Sequence, residues 1–552
     1  MNTSMNTSMN TKLKPIADMI HSRLVRKAIT SSSKWAMRYR VMGGGSFPGP
    51  WSFKHHPWLR GMHECDARKI VGKKAAQMGF TEWAINSVLY SMDMKGMSCL
   101  YVLPASKPDA ADFSTGRFDP ILDLSPHIKA MFHDVKNIGH KRAGHANLYI
   151  RGSRSRAQLK SIPTGDVTFD EVDEMVQNNI PLAIERMSGQ VEKFERYIST
   201  PTVADHGIDK MFQNTTQNFF TFKCPHCGKH TQLIYPECLV ITAEKVTDPG
   251  IKDTHLICKE CKHTLAHEQK VEFLKDGFWE SAYPDRPEIG FGVNQMYSMT
   301  IAPPDLAASY LRGLENLADR QEFFNSKIGV THAPDGAKIT QTMLNNCKKD
   351  YSMANGSRSN NIVTMGIDVG TFFDVEIDEW IMTEDTGDLN SAFIPKVLHV
   401  GRYKNIQDVY NLMSQYTVNY CVMDANPERK MATAFAQSFY GHVSLCIYAR
   451  GVAGRLINPN KSDYLVNVDR TYWMDVALGR FKEQKIILPV DLPYEYGEQV
   501  KAPTKIYVKD VDGNPVSKYV EGSADHLAHA RTYAEIALPL AAGKGRSEDY
   551  VE

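Results

Sequence analysis

The 552-residue chain has no excess of charge of either sign, since 64 Lys and Arg residues stand against 63 Asp and Glu residues. A protein that binds nucleic acid through its whole surface carries a large positive excess, so any DNA contact here must come from local basic patches. The sequence lacks an apolar run of the roughly 18 residues that a membrane span needs. Its N-terminus lacks the apolar centre of a signal peptide. We expect a protein that is neither secreted nor embedded in a membrane.

Cysteine is scarce, and four of the ten cysteines form two Cys-x-x-Cys pairs, Cys224 with Cys227 and Cys258 with Cys261. In a reducing compartment such pairs are metal ligands more often than disulfides. Each pair can present two thiolates from one tight turn, and two pairs complete a tetrahedral zinc site that has no open position. The spacing therefore predicts a structural zinc ion in a small, turn-rich module at residues 220–265.

The length is too great for a single hydrophobic core, and the composition changes along the chain. We expect an N-terminal arm (1–54), an α/β domain (55–345), a polar linker (346–361), a second α/β domain (362–540) and a charged tail (541–552). The arm ends in three consecutive glycines and a Pro-rich stretch, which is typical of a mobile or partner-docking segment.

Short apolar stretches alternate with helical ones over residues 55–200, which predicts a sheet of parallel strands. We expect buried strands at 97–103 and 167–169 and a helix at 81–92. After the zinc module, a helical stretch is predicted to run to about residue 345.

A possible phosphate-binding loop follows a short predicted strand at 69–71 and opens the helix at 81–92. Such a loop needs inward N–H groups, a lysine for phosphate charge and a hydroxyl for magnesium. Gly79 and Thr81 fit the pattern G-x-x-x-x-G-K-[ST], with Gln77 inside the loop, but a phenylalanine occupies the usual lysine position. The phosphate lysine would therefore be Lys74, at the other end of the loop, with Lys73 as second choice. A basic turn before a helix is the alternative for the motif taken alone.

Two further strand ends complete this candidate ATP site. The apolar stretch 167–169 ends in Asp170 and Glu171, and such acids can hold magnesium and orient the attacking water, respectively. A strand that ends at Thr200 could sense the γ-phosphate. Arg154 and Arg156, together with Arg151, could contact a phosphate or form a solvated basic loop, and the sequence does not choose among them.

The second α/β domain has acids in apolar strands. Asp368 lies in one such stretch and Asp424 ends another, and an acid in this setting is costly to bury unless it is paired or binds a metal ion. Two acids on adjacent strands can hold Mg²⁺ or Mn²⁺ for attack on a phosphodiester. The third ligand is left open between Asp525 and His529, which share a helix face.

Three more acids alternate along the strand that follows Asp368, which suggests one solvated face and gives them only a reserve role as ligands: Asp374, Glu376 and Asp378.

The chain resembles phage terminase large subunits of the lambda gpA type. The motifs that carry the resemblance are 74–82, 100–104, 117–120, 159–163, 170–173 and 199–202, and the resemblance continues through the cysteine pairs into the C-terminal half. It implies a P-loop (RecA/ASCE-like) ATPase domain with a zinc-ribbon-like insert, followed by an RNase H-like nuclease domain. Many relatives have a lysine where Phe80 stands and an aspartate where His529 stands.

The resemblance also implies a function: ATP-driven translocation of double-stranded viral DNA into the procapsid, and cutting of concatemeric DNA. Expected cofactors are ATP, Mg²⁺ (or Mn²⁺ at the nuclease) and structural Zn²⁺. Expected partners are double-stranded DNA, a small terminase subunit, the portal protein and further copies of this chain in a ring, in the cytoplasm of the infected host. The resemblance further suggests an arginine finger among the three arginines.

Two other hypotheses fit parts of the sequence. A helicase-type translocase with a degenerate nuclease would need a second RecA-like lobe, for which the sequence shows no motifs. A zinc-ribbon DNA-binding scaffold with inactive enzymatic sites is favoured by Phe80 and His529.

Overall fold

A computed structural model describes most of the chain: residues 29–132, 135–160, 162–334, 336–353, 356, 360–383, 392–449, 452, 454, 457–460, 464–510, 513–521 and 523–543. Most of the expected arm (1–28), most of the tail (544–552), Ser161 and residues 354, 355 and 357–359 of the expected linker lie outside these ranges. The chain divides into two compact units, Met1–His332 and Ala333–Glu552. Within the described ranges, no helix is long and apolar enough to cross a bilayer.

Sixteen strands are described in the first unit: β1 (Val41–Met42), β2 (Gly49–Pro50), β3 (Lys69–Lys74), β4 (Cys99–Leu103), β5 (Val135–Asn137), β6 (His140–Ala143), β7 (Ala146–Gly152), β8 (Asp166–Asp170), β9 (Phe194–Ser199), β10 (Asn218–Lys223), β11 (His230–Thr231), β12 (Leu239–Val240), β13 (His255–Ile257), β14 (Thr264–Leu265), β15 (Phe278–Ser281) and β16 (Ile289–Val293). Its described α-helices are α1 (Ser32–Tyr39), α2 (Trp58–Glu64), α3 (Phe80–Lys95), α4 (Asp119–Leu124), α5 (Pro126–Met131), α6 (Ile180–Ile184), α7 (Gly207–Gln213), α8 (Lys270–Leu274), α9 (Pro303–Glu315) and α10 (Leu317–Glu322).

One large sheet organises the first unit, with strand order β11-β10-β16-β3-β9-β8-β4-β7-β6-β5 and β15 paired to β10. The seven strands from β10 to β7 in this order run parallel, and the outer pairings are antiparallel. The predicted parallel sheet, its strands near 97–103 and 167–169 and the helix near 81–92 are confirmed. Because parallel strands end at one edge, the segments after β3, β8 and β9 meet there.

The prediction of a continuous helical stretch after the zinc module is wrong, because β15 and β16 precede α9. Strand β16 lies beside β3 in the middle of the sheet, yet two of its five residues are glycines. A methyl group on Gly290 would overlap the Thr215 side chain, and one on Gly292 would lie 3.1 Å from Phe219. Close packing therefore explains glycines that conceal a strand in the sequence pattern.

The second unit contains strands β17 (Ile362–Val369), β18 (Phe373–Met382), β19 (Phe393–Tyr403), β20 (Tyr420–Asp424), β21 (Val443–Tyr448), β22 (Asn458–Asn460), β23 (Leu465–Val468), β24 (Pro503–Lys509) and β25 (Pro515–Glu521). Its described helices are α11 (Gln341–Cys347), α12 (Ile406–Gln415), α13 (Arg429–Ser438), α14 (Arg470–Lys482), α15 (Tyr494–Lys501) and α16 (His526–Ala541). Helix α11 belongs to this unit, and Cys347 at its end is buried in the core.

A seven-stranded mixed sheet forms the centre of this unit, with order β19-β18-β17-β20-β21-β23-β22. Strands β17, β20, β21 and β23 run parallel, whereas β18 and β19 are antiparallel to their neighbours. Helix α16 lies directly against β17 at Gly366, where a methyl group would overlap the Ala530 carbonyl oxygen and the Ala534 amide nitrogen. The absent side chain therefore lets the C-terminal helix approach the strand that carries Asp368.

Candidate active sites and zinc site

The loop between β3 and α3 has the shape of an anion cradle. Gln77 and Gly79 have left-handed backbone conformations, with φ of 61° and 82°. The Trp58 indole N–H donates to the Met78 carbonyl oxygen at 2.8 Å, and the Gln295 amide donates to the Ala76 carbonyl oxygen at 2.8 Å. With these carbonyls held, the first N–H groups of α3, which have no partner within the helix, open at the end of the loop.

Lys74, the last residue of β3, is the lysine that meets the other predicted ATP-site residues. Its Nζ lies 3.1 Å from Glu171 Oε1 and 3.3 Å from Thr200 Oγ1. Lys73 points to the opposite face of the sheet, where its Nζ lies 2.9 Å from Asp209 Oδ1. Successive side chains of a strand alternate between faces, so only one of the two neighbouring lysines can face the loop.

Asp170 ends β8 beside this cluster and is only 2% exposed. Its Oδ2 accepts a hydrogen bond from the Tyr101 hydroxyl at 2.7 Å, and Thr81 contributes a side-chain hydrogen bond. Its Oδ1 is buried without a hydrogen-bond partner among the described residues. Burial, followed by the nearby Glu171 charge, raises the pKa of Asp170 to about 6. A buried carboxylate oxygen that lacks a partner, beside a threonine hydroxyl, is a donor set that suits Mg²⁺.

Phe80 does not face the loop. It is 1% exposed and packs against Gly72 and Ile198 inside the core, where a methyl group on Gly72 would lie 2.7 Å from the Phe80 ring. Position 80 is thus a core position of this chain, and Lys74 is the lysine beside the candidate phosphate site.

The three arginines considered from the sequence lie in and after β7. Arg151 donates from Nη1 to the carbonyl oxygens of Gly139 and Ile150, which holds it on its own hairpin. Arg154 is exposed in the turn that follows the strand, and Arg156 is exposed at the start of a short 3-10 helix, Arg156–Leu159. The structure therefore does not bring Arg154 or Arg156 into contact with Lys74 or Asp170.

Asp173 is an important residue that the sequence analysis did not single out. Its Oδ2 accepts from the Thr202 N–H at 2.8 Å and from the Thr202 hydroxyl at 2.7 Å, and its Oδ1 accepts from the Ile208 N–H at 2.7 Å. This carboxylate ties the segment after β8 to the segment after β9, which carries Thr200. The feature of the sequence that could have pointed to Asp173 is the run of acids that follows β8.

The four predicted zinc ligands come together. The Sγ atoms of Cys224, Cys227, Cys258 and Cys261 all lie within 4.8 Å of one another, and they form the sole group of three or more candidate metal ligands at this spacing in the described part of the chain. Burial raises the pKa of Cys258, but the N–H groups of Cys261 and Glu260 outweigh it and lower that pKa to about 7, which favours the thiolate.

Each cysteine pair lies in the same kind of tight turn. In the first, the Gly228 N–H donates to the Cys224 carbonyl oxygen at 3.0 Å, and in the second the Lys262 N–H donates to the Cys258 carbonyl oxygen at 3.0 Å. Gly228 and Lys262 both have positive φ, 71° and 61°. The two turns and the small sheet β12-β13-β14 give a compact module whose thiol groups suit tetrahedral Zn²⁺.

In the second unit, Asp368 and Asp424 lie side by side at the ends of the parallel neighbours β17 and β20. Ile367 pairs with Met423, so the two acids are next in register. Burial raises the pKa of Asp424 to about 6, and the charge of Asp368 adds to this rise. Asp368 Oδ2 lies 2.8 Å from His526 Nδ1, a residue that the sequence analysis did not select. The feature of the sequence that could have pointed to His526 is its position directly after Asp525.

Asp525 and His529 both reach this region. Asp525 precedes α16 as its cap residue, and His529 lies one turn inside the helix. His529 has polar neighbours on both ring nitrogens: the Tyr448 hydroxyl at 3.0 Å from Nδ1, and Asp525 Oδ2 at 3.3 Å and Arg470 Nη2 at 3.3 Å from Nε2. Burial lowers the pKa of His529, but the hydrogen bond with Asp525 and the charge of Asp525 together outweigh burial and raise that pKa. The imidazole is therefore engaged by the protein on both sides.

The expected solvated face of β18 is wrong. Asp374, Glu376 and Asp378 are 1%, 0% and 0% exposed. Arg402 Nε donates to Asp374 Oδ1 at 2.5 Å, while Arg531 pairs with the other two acids. Alternation along the strand was read correctly, but the acidic face is covered by α16 and its arginine, which the sequence pattern alone does not reveal.

The first unit thus has a phosphate-type loop with a lysine and two acids at the edge of a parallel sheet, and the second has paired acids at the edge of a mixed sheet. Residues 45–279 match the model of the family described as phage terminase large subunit gpA, ATPase domain. The match lies within the first unit, and for this region it confirms the resemblance to phage terminase large subunits that was stated from the sequence. No curated protein matches the chain.

Solved large terminases are similar to the chain at low identity. The HK97 bacteriophage large terminase has a TM-score of 0.48 and 10% identity, covering 93% of this chain and 98% of that chain. A large terminase from a thermophilic bacteriophage has a TM-score of 0.32 and 11% identity, covering 88% and 98%. The large terminase nuclease of the thermophilic phage G20c, with bound magnesium, has a TM-score of 0.23 and 12% identity, covering 37% and 98%. With TM-scores below 0.5, these likenesses assign no residue roles.

Proposed function

We propose that the first unit hydrolyses ATP at the loop between β3 and α3 and thereby drives double-stranded viral DNA into the procapsid. One observation carries this proposal: Glu171 and Thr200 both lie within 3.3 Å of the Lys74 ammonium group. The three residues come from three different strand ends. A cation at this position suits the charge of transferring phosphates, and the family match at residues 45–279 supports the same activity.

Each residue has a distinct role in this proposal. Lys74 and the N–H groups at the start of α3 bind the phosphates, with Gln77 and Gly79 shaping the loop. Asp170 and Thr81 would hold Mg²⁺, which neutralises phosphate charge when bound. Glu171 orients the attacking water, and Thr200 senses the phosphate next to Lys74. Arg154 and Arg156 remain candidate arginine fingers.

ATP hydrolysis by purified full-length protein tests this proposal. Glu171→Gln keeps the size of the side chain but removes its ability to accept a proton, so we expect hydrolysis to fall by about two to four orders of magnitude while binding of a fluorescent ATP analogue is retained. Glu174→Gln makes the same change at an exposed glutamate three residues further along the chain and is the matched control. Unchanged hydrolysis in Glu171→Gln would refute the assignment.

We further propose that the second unit is an RNase H-like, metal-dependent endonuclease that cuts concatemeric DNA. The adjacent positions of Asp368 and Asp424 support this, as does the raised pKa of Asp424, because two close carboxylates, one buried and one half-buried, favour a shared cation. Asp368 and Asp424 would hold Mg²⁺ or Mn²⁺, which activates water and stabilises phosphate charge when bound. Asp525 is the proposed third ligand, because both ring nitrogens of His529 already have polar neighbours.

Plasmid cleavage in the presence of Mn²⁺ tests the nuclease proposal. Asp368→Asn and Asp424→Asn should each abolish cleavage, whereas Asp408→Asn, on the exposed surface of α12, should leave it unchanged. Cleavage that persists in both active-site variants at the wild-type rate would refute the assignment of the nuclease site to Asp368 and Asp424.

The zinc site and the partners complete the proposal. Structural Zn²⁺ would be held in a zinc-ribbon-like insert by Cys224, Cys227, Cys258 and Cys261.

On the resemblance to terminase large subunits, we propose that the chain forms a homo-oligomeric ring and acts in the host cytoplasm with a small terminase subunit and the portal protein. Co-sedimentation of the purified chain with portal rings, with and without ATP, would test the portal partnership.

A further inference from the structure

Five charged side chains lie together in the interior of the second unit, and the proposed cleavage reaction uses none of them. They come from three elements and are at most 4% exposed: Glu376 and Asp378 of β18, Arg480 of α14, and Arg531 and Glu535 of α16. Isolated charges of this kind are very costly to bury, so their contacts must be examined as one network.

Arg531 is at the centre of the network. Its Nη1 contacts Glu376 Oε1 at 3.1 Å and also pairs with Asp378, and its Nη2 pairs with Glu535. Glu535 in turn accepts from Arg480 Nη2 at 2.7 Å. A single guanidinium thus joins the C-terminal helix to β18, and Glu535 joins the same helix to α14.

The charges of the network balance if one acid keeps its proton. Burial, followed by the charge of Asp378, raises the pKa of Glu376 to about 8. With Glu376 protonated, the charges that remain are the carboxylates of Asp378 and Glu535 and the guanidinium groups of Arg480 and Arg531. A balanced network can be buried, but apolar side chains of similar volume would stabilise the fold at least as well. Stability alone therefore does not account for it.

The network lies beside the proposed metal site along the same pair of strands, since Glu376 stands opposite Gly366, two residues before Asp368. Strand β18 pairs with β17 so that Asp374 stands opposite Asp368. Helix α16 begins at His526, immediately after Asp525, and Gly366 lets it lie on β17. The planar guanidinium of Arg531, with acceptors on β18 and on α16 itself, adds a directional restraint to the packing of this helix. The rotation of α16 determines where Asp525 and His526 point.

We infer that Arg531 is a positioning residue of the nuclease: its guanidinium sets the rotation and axial position of α16 on β18 and so holds Asp525 and His526 over Asp368 and Asp424. The inference rests on the proposed nuclease function. It predicts that changes in the network alter metal binding at a site that the network itself does not touch.

Mn²⁺ binding to the full-length protein, measured by isothermal titration calorimetry, is the test, with Mn²⁺-dependent plasmid cleavage as second readout. Arg531→Lys keeps the charge but cannot reach Glu376, Asp378 and Glu535 together. We expect its dissociation constant for Mn²⁺ at the nuclease to rise about 10-fold and kcat for cleavage to fall, as when groups that orient metal ligands are altered. Lys485→Met, which removes an exposed charge from the same unit, is the control and should behave as wild type.

A double variant, Arg531→Leu with Asp378→Leu, removes one charge of each sign and leaves the Arg480–Glu535 pair intact. It should retain its melting temperature to within a few degrees, as apolar replacements of buried ion pairs do, yet bind Mn²⁺ as weakly as Arg531→Lys. Wild-type Mn²⁺ binding in this variant would overturn the inference. If the double variant does not fold, wild-type binding and kcat in Arg531→Lys would overturn it instead.

Failure of the proposed function gives a different result. The wild-type protein would then not cleave plasmid, and the Asp368→Asn variant would bind Mn²⁺ as the wild type does. ATP hydrolysis by the first unit, measured in every variant, reports that the remainder of the chain is folded.

Discussion

The ammonium group of Lys74 lies 3.1 Å from the Glu171 carboxylate, whereas the neighbouring Lys73 is paired with Asp209 on the other face of the sheet. This relationship connects the end of β3 with the end of β8, which is the arrangement that ATP hydrolysis needs. It also separates two adjacent lysines that have the same chemistry into one candidate catalytic residue and one structural residue.

The first prediction compares these two lysines. Lys74→Ala should lower the rate of ATP hydrolysis by about two to three orders of magnitude, because it removes the positive charge that stabilises the transferring phosphate. Lys73→Ala should keep most of the activity and lower the melting temperature, because the buried Asp209 carboxylate loses the cation that neutralises it. Steady-state hydrolysis below the melting transition checks both, and equal losses in the two variants would contradict the assignment.

The second prediction concerns Phe80, which occupies the usual lysine position of the pattern G-x-x-x-x-G-K-[ST]. Phe80→Lys should not raise ATP hydrolysis, and it should destabilise the protein by at least about 3 kcal/mol, because the side chain at this position is in the core. Phe80→Leu should cost much less. Urea unfolding together with hydrolysis assays provides the measurement. A stable Phe80→Lys variant with faster hydrolysis would show that the side chain can turn towards the phosphates.

The third prediction is one tightly bound zinc ion per chain, measured by metal analysis of the purified protein. Cys258→Ser should abolish the zinc content and lower the melting temperature, because loss of one of four ligands opens the site. Cys65→Ser changes a cysteine outside the group of four and should retain the zinc. An equal zinc content in wild type and Cys258→Ser would rule out this site.

The fourth prediction follows from the raised pKa of Glu376, which is about 8 in the folded chain against an ordinary value of 4.5. Between these pH values the unfolded chain loses the proton that the folded chain keeps. The contribution of Glu376 to stability is therefore greatest below about pH 4.5 and is lost as the pH rises towards 8. Glu376→Gln should flatten this decline.

Urea-dependent hydrogen exchange of peptides from α16, corrected for intrinsic exchange rates, measures this effect in the full-length chain. Glu483→Gln, an exposed substitution in the same unit, is the control. If Glu376→Gln and wild type lose protection in parallel between pH 5 and pH 8, Glu376 does not carry the proton.

Much of the fold followed from local pattern, and its failures have physical causes. The strands that carry Lys74 and Asp170 were predictable because apolar runs precede them. Strand β16 was missed because close packing requires Gly290 and Gly292. The orientation of Lys73 and Lys74 depends on where the strand ends: the sequence placed them in a loop, and β3 extends through both.

The candidate sites show the same limit. Asp368, Asp424 and the four cysteines could be selected because an acid or a thiol stands out in its local sequence. His526 and Arg531 could not, because their significance arises from the strands on which α16 packs. The alternating acids of β18 predict a solvated face, because alternation gives the periodicity of a face but not what covers it.

The most direct test of the account is a crystal structure of the full-length protein with Mn²⁺ and a non-hydrolysable ATP analogue, analysed by anomalous scattering. We expect one manganese peak beside Asp170 and Thr81 at the nucleotide phosphates, and another between Asp368 and Asp424 with Asp525 as ligand and His529 outside the coordination sphere. A nucleotide bound away from Lys74, or the absence of manganese between Asp368 and Asp424, would contradict the account.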